Sequence, residues 1–265
     1  MLMNCFTVTA KGNRRIRLNI YPGHFATSHA HVDTYFSMSE VRTNCVMASE
    51  AAAQLANHFR YTPIDTVISL EYTQIIAAFV AQNLSAPGRD VNSGAEIHVV
   101  TPQVNSNNQL TFTNDMQPFV TGKNVLLILS TVSTGRSLAR AVECTKYYGG
   151  NLAGIGSIFS AIDESGGMPV QSIFKSADLS GYNSYRSDEC PFCKAGRKLD
   201  GFITTGGYTE ILRDPSRTKR LPGNASCGSL VFSRFTVFPT RSRGLFSGCG
   251  RRRLRRRNRG PRREP

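Results

Sequence analysis

The residues best suited to chemistry lie in three short stretches. The first is Ser130-Thr-Val-Ser-Thr-Gly-Arg-Ser137, which follows the apolar run Val125–Leu129 and leads into a helix-forming segment. Hydroxyls at Ser133 and Thr134, backbone N–H groups around Gly135 and a helix starting near Arg136 would suit a phosphate. The start of a helix carries unpaired donors and partial positive charge. Arg136 and Ser137 could reach the same anion. Ser, Thr and Gly also make plain strand-to-helix turns and caps, so these residues alone leave both readings open.

The second stretch is Cys190-Pro-Phe-Cys193. A turn at this spacing points two thiolates inward and supplies half of a zinc site; a reduced structural turn is the simpler reading. A redox pair would need a thioredoxin-like context that the sequence lacks. The third stretch holds His24, His29 and His31. His29-x-His31 on a strand would place both rings on one face and suit a metal; a polar patch beside a cleft or a dimer contact is the bland alternative. Further zinc ligands for the cysteine pair could come from these histidines, from a second copy of the chain, or from nowhere.

Something must position these groups. Residues 13–38 read as an irregular start with short extended pieces, and residues 39–61 as a helix with Val46, Ala53, Leu55 and Phe59 on its apolar face. From Ile64 strand and helix patterns alternate. Strands are predicted at 64–71, 96–102, 109–114, 124–130 and 152–162, and helices at 72–84 and 135–150. A further short strand follows at 170–174, then a polar stretch, the cysteine pair and a last strand at 201–205. Such alternation implies a three-layer α/β domain with a mainly parallel sheet, whose ligands sit at the carboxyl ends of the strands. The Ser130–Ser137 stretch falls at such an end.

Composition narrows the class. The net charge of +14 is carried by one end: residues 1–211 hold 16 basic and 16 acidic residues, and residues 212–265 hold 16 basic and two acidic. Nucleic-acid binding is therefore an expectation only for the tail, as at Gly250-Arg-Arg-Arg-Leu-Arg-Arg-Arg257. That tail is rich in Arg, Gly, Pro and Ser and is expected to lack order; its composition also fits a reading frame never selected to fold. Seven scattered cysteines suit a reducing cytoplasm better than a disulfide framework. No apolar run is long enough for a membrane helix, and the N-terminus does not read as a secretory signal.

The order apolar strand, Val132-Ser-Thr-Gly-Arg-Ser137, helix resembles the 5-phosphoribosyl-1-pyrophosphate (PRPP) motif of type I phosphoribosyltransferases. Residues 18–211 are similar to a bacterial orotate phosphoribosyltransferase-like group, through stretches such as Tyr21–Met38, Ile64–Leu84, Val99–Leu110, Glu143–Gly150 and Glu189–Asp200. The resemblance implies a phosphoribosyltransferase-like domain over 1–211, with a hood from 13–38 and 169–205. It implies a phosphosugar or nucleotide ligand, Mg2+ if the chain is catalytic, and a homodimer. It also exposes departures. Active members carry acidic residues at the positions of Leu129 and Ser130, where they hold the ribose hydroxyls. The basic cluster expected after the strand at 96–100 is replaced by Thr101-Pro-Gln-Val-Asn105, and Glu71 stands in the loop that approaches pyrophosphate. Two functions follow from the resemblance: phosphoribosyl transfer to a pyrimidine such as orotate, or a non-catalytic nucleotide or phosphosugar module that has lost the acidic pair.

Overall fold

The computed structural model describes residues 5–107, 109–179 and 182–211. The expectations for residues 212–265 lie outside the described residues. In chain order the elements are β1 Phe6–Ala10, β2 Asn13–Ala26, β3 His31–Ser37, α1 Ser39–Thr43, α2 Cys45–Ala56, β4 Thr66–Ser69, α3 Gln74–Ser85, β5 His98–Val100, β6 Gln103–Val104, β7 Leu110–Thr111, β8 Asn124–Val132, α4 Arg136–Tyr147, β9 Asn151–Ser160, β10 Glu164–Ser165, β11 Met168–Lys175, β12 Ser184–Tyr185, α5 Pro191–Lys194, β13 Gly201–Thr204 and β14 Gly207–Glu210.

The large sheet has the order β10-β11-β9-β8-β4-β5. Five of these strands run parallel, and β10 forms an antiparallel hairpin with β11. The chain starts this sheet at β4, moves outward to β5, then returns past β4 to β8 and continues to β9 and β11. Right-handed crossovers therefore put α3 and α4 on opposite faces. The two apolar clusters agree. Leu126 and Ile128 pack with α2 and α3 residues such as Leu55, Ile76 and Val80. Val125, Leu127 and Leu129 pack with Leu138 and Ala141 of α4. Alternate side chains of one strand thus serve two cores, as the period-two geometry requires, and β8 reads as a continuous apolar run. The α/β three-layer expectation holds.

Phe59 shows how closely these layers approach. A Cβ at Gly154 of β9 would lie 2.5 Å from the Phe59 ring, so only glycine lets the ring lie against the strand.

A second, smaller sheet has the order β12-β3-β2-β13-β14, with β1 also paired to β2. Here two expectations are corrected. Residues 13–38 are not irregular: β2 is 14 residues long. Ile16, Leu18 and Ile20 are buried while Arg15 and Arg17 face solvent, a clear strand period that the dense arginines and the Pro22-Gly23 break disguised. The ladder shifts register between Pro22 and Phe25, because proline cannot donate to it. The hood expectation for 169–205 is also corrected at its start. Met168–Lys175 pairs in parallel with β9 and belongs to the large sheet, so only β12, β13 and the residues around them reach the smaller one.

The helix expected over 39–61 is interrupted. Asn44 adopts extended backbone and its side chain accepts from the Met47 N–H, capping α2. The cap turns Val46 out to 65 % exposure, and Met47, Ala48, Ala51, Ala52 and Leu55 form the buried face instead.

Candidate functional site

Between β4 and β8 the chain reverses its direction of travel across the sheet. Loops leaving such a switch point diverge and open a crevice at the carboxyl ends of the strands. Here the loops are Leu70–Thr73 after β4 and Ser133–Gly135 after β8. They floor a cavity of about 760 Å³ whose upper wall comes from the small sheet, including Thr27–Ala30, Tyr35, Phe36 and Ile203.

Ser133, Thr134, Arg136 and Ser137 all line this cavity. Gly135, between them, has φ +74° and occupies the N-cap position of α4. A left-handed residue at this point turns the chain from strand into helix, which suits glycine. Four of the five residues expected to hold a phosphate therefore face one space, and the fifth sets the turn. Twelve residues of α4 stand behind them with the positive helix end toward the cavity.

Ser130 also lines the cavity, whereas Leu129 does not; Leu129 is fully buried in the α4-side core. A carboxylate at that position would have no water or donor around it, and leucine fits the apolar surroundings found there. Residues Thr101–Asn105 are absent from the described cavity wall and lie in the β6–β7 region.

Glu71, expected beside the pyrophosphate as a repelling anion, lines the cavity. Its Oε2 accepts a hydrogen bond from the Thr131 N–H at 3.0 Å, with the Ser130 backbone and the Ser137 side chain also bonded to the carboxylate. Burial holds its carboxyl above the usual carboxylate range, and these donors and Arg42 pull the other way. So one carboxylate does stand beside residue 130, brought from another loop. Glu71 and Tyr72 both have positive φ, 54° and 64°, an unusual pair for residues with a Cβ. Arg42, which is buried, supports this backbone: its guanidinium donates to the carbonyls of Glu71 (3.2 Å) and Thr205 (2.8 Å), joining the β4 loop to the hood. No local sequence signal identified Arg42.

Mg2+ is usually held by one or two carboxylates together with the substrate's phosphates. Among the described residues lining the cavity, Glu71 is the sole acidic one, and its oxygens already serve N–H and O–H donors. The wall does not fit a protein-held Mg2+.

The cysteine pair meets two histidines of the smaller sheet. Cys190 Sγ is 3.4 Å and Cys193 Sγ 3.6 Å from His24 Nε2; Cys193 Sγ is 3.3 Å from His31 Nδ1; and the two ring nitrogens are 3.2 Å apart. His24 and His31 are thus the converging histidines, correcting the expected His29–His31 pair. His29 belongs to the β2–β3 turn, where Thr27 bonds to Ala30, and it faces the cavity. In the hairpin Ala26 pairs with His31, which brings His24 and His31 together on one face.

Comparison with known proteins adds the lineage. No protein-family profile matches the chain. It is 28 % identical over 177 residues to the orotate phosphoribosyltransferase of Desulforamulus reducens, covering 66 % of this chain and 84 % of the relative. It is 29 % identical over 181 residues to that of Chlorobium phaeobacteroides, covering 67 % and 86 %. Among solved structures, Mycobacterium tuberculosis H37Rv orotate phosphoribosyltransferase aligns at 18 % identity and TM-score 0.45, over 62 % of this chain and 93 % of that one. In sequence the chain is thus similar to orotate phosphoribosyltransferases, over most of those relatives' length.

Proposed function

We propose that the cavity binds a 5-phosphorylated ribosyl compound, PRPP or a nucleotide, and that the reaction inherited with the fold is transfer of its phosphoribosyl group to a pyrimidine such as orotate. The observation that carries the ligand class is the convergence of Ser133, Thr134, Arg136 and Ser137 on one cavity at the start of α4. In this reading the 5-phosphate accepts from the Ser133 and Thr134 hydroxyls, from backbone N–H groups and from Arg136, which also offsets its charge. Tyr35, Phe36 and Tyr182 on the hood side offer flat apolar surface of the kind a base covers. Burial pushes the Tyr182 hydroxyl up to about 12, so it remains a donor at neutral pH. A divalent cation would arrive with the ligand's own phosphates.

A second reading, a binding module without transfer, is favoured by one observation. The two positions that should grip the ribose hydroxyls are a core leucine and a neutral serine, and the neighbouring Glu71 carboxylate is engaged by the protein's own donors. Mixing the purified chain with PRPP, Mg2+ and orotate and following orotate absorbance separates the two. Turnover supports transfer. No turnover, with ribose 5-phosphate still raising the melting temperature, supports the module. Neither response removes the phosphate site altogether.

A further inference from the structure

We propose that His24 Nε2, His31 Nδ1, Cys190 Sγ and Cys193 Sγ form a tetrahedral zinc site that fastens the β2–β3 turn to the C-terminal part of the domain. The proposal is independent of the phosphate reading.

Geometry comes first. With Zn–S of about 2.3 Å and Zn–N of about 2.0–2.1 Å, a tetrahedron has edges of roughly 3.3 Å between nitrogens, 3.6 Å between nitrogen and sulfur, and 3.8 Å between sulfurs. The observed edges are 3.2 Å for nitrogen to nitrogen and 3.3, 3.4 and 3.6 Å for nitrogen to sulfur. All four ligand atoms lie within 4.8 Å of one another. Four of the six edges thus fall close to the tetrahedral values, and the other two are no longer than 4.8 Å.

The donor chemistry agrees. Two thiolates and two imidazoles are the set that selects zinc over Mg2+ or Ca2+. Two thiolates also neutralise the ion, so the closed centre carries no net charge. That matters because Cys190 is 0 % and His24 is 1 % exposed. Binding releases the two thiol protons to solvent.

The surroundings of His24 set its tautomer. Its Nδ1 lies 3.0 Å from the Arg197 carbonyl oxygen, which can only accept. Nδ1 therefore carries the proton, and Nε2 presents its lone pair to the other three ligands, the arrangement that orients ligating histidines elsewhere. Two further contacts steady the segment: Asp200 accepts from the His24 backbone N–H at 2.8 Å, and its own N–H donates to the His24 carbonyl at 2.7 Å.

The site has a mechanical consequence. His24 and His31 bracket Thr27–Ala30, which form part of the cavity rim. The neighbouring strand link between β2 and β13 is only two residue pairs, Gly201 with Phe25 and Phe202 with Ala26. Zinc would hold this rim to a segment more than 150 residues away in the sequence, where a crosslink removes the most freedom from the unfolded chain.

The test uses the full chain expressed in zinc-supplemented medium. We expect one zinc per chain by elemental analysis, and loss of that zinc in both Cys193→Ser and His31→Ala. Those two ligands are the less buried ones, so the variants should still fold. Chelation should expose two more thiols to a colorimetric reagent and speed amide exchange at Thr27–Ala30. The Co2+-loaded wild type should show tetrahedral d–d bands and a sulfur charge-transfer band, which decides the matter even if a variant unfolds. A metal-free chain with no cobalt spectrum, zinc retained by both variants, or a Cys190–Cys193 disulfide in place of metal would each overturn the proposal.

Discussion

Glu71 Oε2 accepts from the Thr131 backbone N–H at 3.0 Å, so a carboxylate from the loop after β4 is seated at the strand end beside Leu129-Ser130. One residue thus changes the meaning of two departures. Glu71 borders the cavity but is held by the protein's own donors, and the Leu129-Ser130 region is not without a carboxylate. Yet this carboxylate is tied to the protein's own N–H groups, and a ribose hydroxyl would have to displace them.

A pH dependence follows from Glu71. Its carboxyl is raised by burial, so the folded chain holds that proton more tightly than the unfolded chain. Through the window just above the ordinary carboxylate value, folding stability from this group falls as pH rises. In Glu71→Gln that component disappears. Denaturant melts of both proteins from pH 4 to pH 7 should show the wild type losing stability relative to the variant; parallel curves would contradict the assignment.

Glu71→Gln should also tighten ribose 5-phosphate binding, since it removes a negative group from a cavity proposed to hold a dianion. A gain of about 1 kcal/mol is reasonable for charges at this separation near water. Calorimetric titration of both proteins measures it.

Ser130→Asp alone should fail to restore transfer. The new carboxylate would sit beside Glu71, and like charges this close raise each other's pKa and destabilise the fold. Combined with Glu71→Gln the penalty should shrink, giving a positive coupling of roughly 1 kcal/mol in a double-mutant cycle. Additive melting shifts would show that the two side chains do not interact.

Gly154→Ala tests the packing of the layers. The added Cβ meets the Phe59 ring at 2.5 Å, so a loss of about 1–3 kcal/mol is expected. Phe59→Leu in the same chain should recover part of it, because the obstructing ring is gone. No recovery would place the strain elsewhere.

The fold was legible because its signals are local. The continuous apolar run of β8 announced a strand buried on both faces, and Ser133–Ser137 announced the turn that follows. The small sheet was harder to read. Its β2 alternates Ile16, Leu18 and Ile20 with arginines, and Pro22 and Gly23 interrupt the pattern just where the strand shifts register. The site was legible only in part. The loop proposed to hold a phosphate is contiguous, so its residues could be named together. Glu71 meets Thr131 across 60 positions, and His24 meets Cys190 across 166. Such pairings depend on strand order, which spacing along the chain does not encode. His29 looked equivalent to His31 for the same reason, until the hairpin register separated them.

The phosphate loop is the central claim, and calorimetric titration of ribose 5-phosphate into the wild type and into Arg136→Ala/Ser137→Ala tests it most directly. We expect saturable binding at one site per chain in the wild type. The double variant should lose roughly tenfold or more in affinity, as removal of the Arg136 charge-assisted hydrogen bond implies. Its melting temperature without ligand should fall only modestly, because Arg136 faces the cavity and Ser137 gives up one hydrogen bond to the Glu71 carboxylate. No binding by the wild type, or equal binding by the two proteins, would contradict it.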